Sequence, residues 1–251
     1  MFDMKNKLAV VSGGGRDIGQ AVCLELAKCG ARVAFTYHES AQQADETVEC
    51  LRKLGAQALA VRADLTKRVE AEAFIAKVQS TMQQPINILV NNAGGICARK
   101  KIDEMDESFW DLVMDVNLKS TFLLTKAALA SMSDGSAIVN VSSQAGRDGG
   151  GPGTVAYATS KGAVITFTRA LAKELGPRRI RVNAVCPGMT KTKMHDTFTR
   201  PEVRERVAAM TPLGREAEAS EIATLITFLA SSGASYVNGA CVDINGGFCF
   251  S

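Results

Sequence analysis

Short apolar, β-branched runs alternate with longer stretches in which apolar residues return every three or four positions, along nearly the whole of this 251-residue chain. The first run, Leu8 to Val11, reads as a buried strand; it breaks into a turn holding Gly13, Gly14 and Gly15, and an amphipathic stretch from Ile18 to Cys29 follows as a helix. The same reading gives strands at Ala31–Thr36, Ala56–Arg62, Ile86–Val90, Ala137–Val141, Ile180–Ala184 and Ala240–Ile244. Helices are expected at Ser40–Leu54, Val69–Met82, Asp115–Met132, Ala156–Leu175 and Ala219–Leu229. Strands that are apolar throughout, rather than on alternate residues, belong to a parallel sheet covered on both faces. The pattern therefore predicts an α/β fold, a Rossmann-type doubly wound parallel sheet of seven strands flanked by helices, forming a single domain over residues 1–251. Ligands of such sheets bind beyond the carboxyl ends of the strands, so the strand ends are where chemistry is sought.

Composition narrows the classes of function. A net charge of +3, with basic residues scattered along the chain, argues against nucleic acid, whose backbone needs clustered positive charge. No apolar run reaches membrane-spanning length and the N-terminus runs straight into the first strand, so a soluble cytoplasmic protein is expected. Seven cysteines lie far apart without metal-ligand spacing, and His38 and His195 are the only histidines, so neither a metal site nor a disulfide framework is expected. The cysteines read as small buried hydrophobes.

Strand, glycine turn and helix in that order are the context in which a main chain passes close to a diphosphate and a helix N-terminus meets it, though such turns also join elements where nothing binds. Asp17 sits where the phosphates would pass. A carboxylate there is expected to turn outward and cap the first helix through its side-chain oxygen. The second strand ends at Tyr37-His38-Glu39-Ser40 with no acid at its immediate tip to hold a ribose hydroxyl. Together with Arg16 in the glycine loop, this favours NADP(H), with its additional phosphate, over NAD(H); the alternative is that Arg16 and His38 face solvent. Further strand ends supply Asp64-Leu65, Asn91-Asn92-Ala93-Gly94-Gly95 and Ser142-Ser143, the last followed by a glycine-rich loop from Gly146 to Gly153. Tyr157 and Lys161 then stand four apart on one helix face. A cation beside a phenol favours its ionised form and makes a usable acid, although the spacing alone also suits an exposed pair.

Taken together, Ser12-Gly13-x-x-x-Asp17-x-Gly19, Asn91-Asn92-Ala93-Gly94, Asn117, Ser143, Tyr157-x-x-x-Lys161 and Pro187-Gly188 resemble, in order and over the whole chain, the motifs of a classical short-chain dehydrogenase/reductase, of the 3-oxoacyl-[acyl-carrier-protein] reductase-like branch. The resemblance implies that Tyr157 is the general acid or base, that Lys161 lowers its pKa and meets the nicotinamide ribose, that Ser143 holds the substrate oxygen, and that Asn117 supports a water chain. It also implies cofactor contacts from Gly13, Gly15, Arg16, Asp17, Ile18, Gly19, Tyr37 and His38, and from Asp64 and Leu65 near the adenine. Asn91, Ala93 and Gly94 would run along the adenosine, and Pro187, Gly188, Thr190 and Thr192 around the carboxamide. Two departures stand out: Asp17 replaces the family's middle glycine, and the Ser143 to Tyr157 interval is one residue longer than in its commonest form.

The segment 191–211 corresponds to the family's mobile substrate lid; its Met194, Phe198, Arg200 and Arg204 select no single substrate, and Arg200, Arg204 and Arg206 are candidates to meet an acyl carrier protein or simply water. The first expectation is an NADPH-dependent reduction of a small-molecule carbonyl, a 3-oxoacyl thioester or related ketone. The alternatives are an NAD-linked sugar or secondary-alcohol dehydrogenase, and a non-catalytic protein that retains the fold. The apolar end Phe248-Cys249-Phe250 has little reason to be exposed in a monomer, and a homotetramer is expected.

Overall fold

A computed structural model describes residues 2–250. Seven strands, β1 (Leu8–Val11), β2 (Arg32–Tyr37), β3 (Ala58–Arg62), β4 (Ile86–Asn91), β5 (Met132–Val141), β6 (Arg181–Pro187) and β7 (Cys241–Ile244), form one sheet in the order β3-β2-β1-β4-β5-β6-β7. Every neighbouring pair is parallel. The chain winds outward from β1 through β2 and β3, crosses back to β4, and winds outward the other way. That reversal leaves a crevice between the carboxyl ends of β1 and β4.

Alternation within each strand explains why the strands read as continuous apolar runs. Ala9 and Val11 of β1, with Val33 and Phe35 of β2, face a layer that includes Val22 and Leu26 of α1 (Asp17–Lys28) and Ile222 and Ile226 of α10 (Ala219–Ala230); Leu51 of α2 (Ala41–Lys53) belongs to it too. Leu8, Val10 and Ala34 face the opposite layer, with Phe74 and Val78 of α3 (Arg68–Met82), Leu124 of α5 (Ser120–Leu129) and Leu171 of α7 (Val155–Glu174). Both faces are therefore buried. A side chain as large as Phe35 or Phe74, fully enclosed, contributes roughly 1.5–3 kcal/mol to that burial.

The stretch expected to be one helix over Asp115–Met132 is divided. A separate helix α4 (Glu107–Met114) precedes it, with Asp106 as N-cap accepting from the Phe109 N–H at 2.7 Å. Residues Asp115–Lys119 then form a wider π turn leading into α5. At its far end the helix stops at Leu129, because groups outside it take the next carbonyls: Arg178 donates to Leu129 O at 3.2 Å and to Met132 O at 2.6 Å, and the Ile86 N–H donates to Ser131 O at 2.8 Å. Met132 thereby opens β5, five residues before the expected start at Ala137. Residues 191–211 contain two helices, α8 (Lys193–Phe198) and α9 (Pro201–Met210), and a short helix α6 (Ala145–Asp148) follows β5.

No helix among the described residues is long and apolar enough to cross a membrane, and none of their His, Cys, Asp and Glu side chains gather into a metal-binding group. Cys23, Cys29 and Cys186 are buried as expected, but Cys50 is exposed and Cys97, Cys241 and Cys249 are half-buried. Phe250 is 88% exposed, so within one chain the apolar C-terminal end does lie open.

Candidate active site

At the crevice the loops after β1 and β4 are stitched together. The Ser12 hydroxyl accepts the N–H groups of Asn92 and Ala93, both at 2.9 Å, and the Asn92 carboxamide donates to Ser12 O at 3.0 Å and Gly13 O at 3.2 Å. Gly13 and Gly14 are fastened in turn to β2, donating to the Thr36 hydroxyl and carbonyl. The loop is wound so tightly that a Cβ on Gly19 would collide with the Gly13 carbonyl.

A cleft of about 650 Å³ opens above these turns and runs from Arg16, Tyr37 and His38 past Gly13, Ile18 and Asn92 to Ser143, Tyr157 and Lys161. Pro187, Gly188, Thr190 and Thr192 line its far wall. A larger hollow of about 780 Å³ lies at the opposite edge of the sheet, near Lys7, Asn87 and Arg181. It holds none of the residues that carry reactive chemistry, and ligands of wound parallel sheets sit at the carboxyl edge, so the smaller cleft is the site.

Tyr157 and Lys161 lie on the first turns of α7, facing inward and almost fully buried. Ser143 lies beside the phenol, and both line the cleft. Burial pushes its pKa up, and the serine partly offsets this. Lys161 donates to Val141 O at 2.9 Å, and burial brings its pKa down to about 8. The resemblance implied a tyrosine acidified by the lysine; here desolvation is the larger influence on the phenol, and Nζ lies 5.8 Å from its ring centre. Ser142 also lines the cleft, but its hydroxyl donates to Lys161 O at 2.8 Å, which leaves Ser143 as the serine beside the phenol.

Asn117 sits in the π turn, wholly buried. Its carboxamide accepts the Gly95 N–H at 2.9 Å and donates to Gly95 O at 2.9 Å and Val113 O at 3.0 Å. Both amide protons are therefore committed, and the side chain fastens the Gly94–Gly95 turn directly. The turn is close-fitting: a Cβ on Gly94, whose φ is +154°, would lie 2.6 Å from Asn117 Oδ1 and 3.1 Å from Lys161 Nζ.

Other expected residues divide. Gly15, Gly19, Leu65, Ala93 and Gly94 line the cleft, as does Asp64. Burial raises the Asp64 carboxyl, but hydrogen bonds from Thr66 and Lys67 outweigh it and leave its pKa lowered. Asn91 does not line the cleft: its side chain turns into the sheet, donating to Thr125 Oγ1 at 2.9 Å and Asn140 Oδ1 at 2.8 Å. Its neighbour Asn92 takes the place at the cleft, because successive strand residues point to opposite sides. Gly95, named with its strand end, lines it too, as do Cys97 and His195, which were not proposed as site residues; nothing local in the sequence distinguishes those two.

The expected cap at Asp17 is not formed. Arg16 holds the N-cap position and Asp17 is the first helical residue, with φ +53° in the left-handed region. Its Oδ1 accepts the main-chain N–H of Lys193 at 3.2 Å, across the cleft at the start of α8, and Oδ2 lies 3.5 Å from Arg16 Nη1. The left-handed φ aims the side chain away from the helix's own N–H groups, which is why it cannot cap them. Arg204, a candidate for an external acidic partner, is engaged internally by Glu216 at 2.7 Å and by Asp196.

A dinucleotide fits this donor set on the structure's own terms. The glycine turn leaves room beside the start of α1, and Arg16 Nη1 is buried without a hydrogen-bond partner, although Asp17 is within ion-pair range. A cationic donor in that state suits an anionic group beside the end of β2.

A family model described as Enoyl-(Acyl carrier protein) reductase matches residues 13–249. The chain belongs to the short-chain dehydrogenase/reductase family. Members of the family are NAD(P)-dependent oxidoreductases acting on carbonyl and alcohol groups, and this short-chain reductase is one of them. It is 40% identical to the 3-oxoacyl-[acyl-carrier-protein] reductase FabG of Pseudomonas aeruginosa, over 98% of both chains. A blue fluorescent protein from a metagenomic library, solved with NADPH, superposes with a TM-score of 0.93 at 34% identity over 99% of this chain and 100% of that one. Carveol dehydrogenase from Mycobacterium avium, solved with NAD, gives a TM-score of 0.92 at 26% identity, covering 99% of each chain.

Proposed function

We propose that this short-chain reductase uses NADPH to reduce a ketone with an apolar flank, a 3-oxoacyl thioester or close analogue, to a secondary alcohol. The observation that carries the reading is the placing of the Tyr157 phenol beside the Ser143 hydroxyl and the buried Lys161 ammonium, at the inner end of a dinucleotide-sized cleft. Two hydroxyls converging there can hold one carbonyl oxygen, and Tyr157 gives it a proton as negative charge develops. Lys161 supplies positive charge close to the phenol and Asn117 keeps the Gly94–Gly95 turn against it. NADPH, when bound, supplies the hydride. Arg16, Tyr37 and His38 would hold its adenosine end, Gly13, Gly15, Ile18 and Gly19 its diphosphate, with Asp64, Leu65, Ala93 and Gly94 beside the adenosine and Pro187, Gly188, Thr190 and Thr192 beside the nicotinamide.

The wall near Tyr157 favours an acyl chain over a sugar. Cys97, Met194 and Phe198 line it, backed by Ile96 and Phe109, a surface that offers a polyol few partners. A 3-oxoacyl thioester also brings an acyl carrier protein as candidate partner; with Arg204 engaged, only Arg200 and Arg206 of that trio remain exposed. The open Leu112, Phe122 and Phe250 support a homotetramer.

Initial rates with acetoacetyl-coenzyme A, a cyclic diketone and an aldose, each with NADPH and with NADH, test the reading. The thioester or the diketone with NADPH should be the preferred pair, and NADPH should bind more tightly than NADH by roughly 1–3 kcal/mol if Arg16 meets the additional phosphate. Preferential turnover of the aldose with NADH would overturn both parts.

A further inference from the structure

α8 is six residues long, too short to be held by its own main-chain bonds, yet it carries Met194 and Phe198 on the cleft wall. Its carboxyl end is secured by a side chain from nearly a hundred residues away. Arg99 Nε donates to Phe198 O at 2.8 Å and Nη2 to Thr199 Oγ1 at 3.4 Å. The third arm, Nη1, donates to Pro152 O at 3.1 Å, in the glycine-rich loop that runs from Ser143 to Tyr157. The next main-chain N–H, that of Lys100, reaches the same loop at Gly153 O, 3.1 Å away.

The chemistry of this guanidinium suits the position. A cation at a helix carboxyl end meets the unpaired carbonyls and the negative end of the helix dipole. Three acceptors in three directions match a planar fork of N–H groups, which a lysine could not reproduce. Thr199 Oγ1 also lies 3.1 Å from His195 Nδ1, one turn back on α8, so the hydroxyl links the guanidinium to the imidazole. Burial, followed by the nearby Arg204, holds the His195 pKa down at about 4 and keeps the ring neutral.

We propose that Arg99 is a positioning residue for carbonyl reduction: it ties α8 and the loop ahead of Tyr157 to the segment after β4, and so fixes the spacing between the Met194 and Phe198 wall and the Tyr157 side of the cleft. The proposal rests on the reading of this cleft as a carbonyl reductase site. Arg99 acts through Phe198 and Pro152, not on the reacting atoms.

The test compares Arg99→Met, which retains the stem, and Arg99→Lys with the parent in steady-state kinetics, using whichever ketone the parent reduces. Dinucleotide titration, thermal unfolding and timed trypsin digestion accompany the kinetics. Arg99→Met should raise KM for the ketone about tenfold or more, change kcat less than threefold, leave dinucleotide Kd within twofold, and leave the pH profile of kcat unmoved. Trypsin should cut faster at Lys191 and Lys193, and Arg99→Lys should recover only part of the KM. An active parent with unchanged KM and digestion in Arg99→Met overturns the clamp and leaves the functional reading intact. A parallel loss of Tm, dinucleotide affinity and activity shows a general structural role and overturns it too. A parent that reduces no ketone overturns the functional reading itself, and the catalytic meaning of the clamp with it, whatever the digestion shows.

Discussion

Replacing Asp17 separates two effects that its position combines. The carboxylate lies in the dinucleotide cleft, where it accepts one main-chain N–H from Lys193 and has Arg16 as a partial counter-charge. Asp17→Asn retains an acceptor oxygen for Lys193 and removes only the charge; Asp17→Gly removes the charge, the link to α8 and the strain of a left-handed φ. Two like charges on the order of 6 Å apart, at an effective dielectric of about 20–40, repel by about 1–3 kcal/mol. The neighbouring Arg16 offsets part of this, since ion pairs with side chains 43% and 29% exposed contribute only a fraction of a kcal/mol. The expected net gain for Asp17→Asn is about 0.6–2 kcal/mol, or roughly 3- to 30-fold tighter NADPH binding. The gain should shrink at high salt because the charges are partly exposed. For Asp17→Gly, relief of about 1 kcal/mol of backbone strain is met by a comparable loss of chain stiffness and of one exposed hydrogen bond, so stability should move by less than about 1 kcal/mol. Calorimetric titration of NADPH at low and high salt, with thermal unfolding of the free proteins, checks both. Unchanged or weaker binding by Asp17→Asn at low salt would refute the electrostatic argument. A large loss of stability in both variants would show that the carboxylate holds the fold together after all.

Tyr157→Phe should lower kcat for carbonyl reduction by about a hundredfold or more while dinucleotide Kd stays within a few-fold, because the proton donor acts mainly in the transition state; rates within tenfold of the parent would remove Tyr157 from its role. Ser143→Ala should cut kcat/KM through loss of the second hydroxyl at the carbonyl oxygen, and should also raise the phenol pKa further, seen as a shifted pH profile of kcat rather than a changed dinucleotide Kd. His195, half-buried and neutral with its pKa at about 4 against an ordinary 6.5, binds its proton more readily in the unfolded chain, so it contributes stability above pH 6.5 that is lost as the pH falls toward 4. The loss amounts to at most about 3 kcal/mol, and denaturant titrations at pH 7.5, 5.5 and 4.5 should show the parent losing more stability than His195→Gln; parallel curves would refute the assignment.

Much of the architecture was legible from the chain because its signals are local. Strands buried on both faces need unbroken apolar runs, and the helices between them need a returning apolar stripe, so the seven-stranded order of elements could be read off directly. Ser143, Tyr157 and Lys161 were legible as well, since a strand end and one helix turn place them together. What escaped were the elements whose bounds depend on distant partners: α5 ends and β5 begins where Arg178 and Ile86 take the carbonyls of Leu129, Ser131 and Met132. The same holds at the site. Asn91 and Asn92 are indistinguishable in composition, and only the strand's facing sends one into the sheet and the other to the cleft. Asp17 carries the residue type of a helix cap, but its left-handed backbone directs it to Lys193, 176 positions along the chain. Arg99 gives no local sign of joining Pro152 to Phe198 and Thr199. Hydrophobic periodicity is a property of neighbouring residues and so survives in the sequence; the direction of a single polar side chain is decided by whichever acceptor the finished fold brings within about 3 Å.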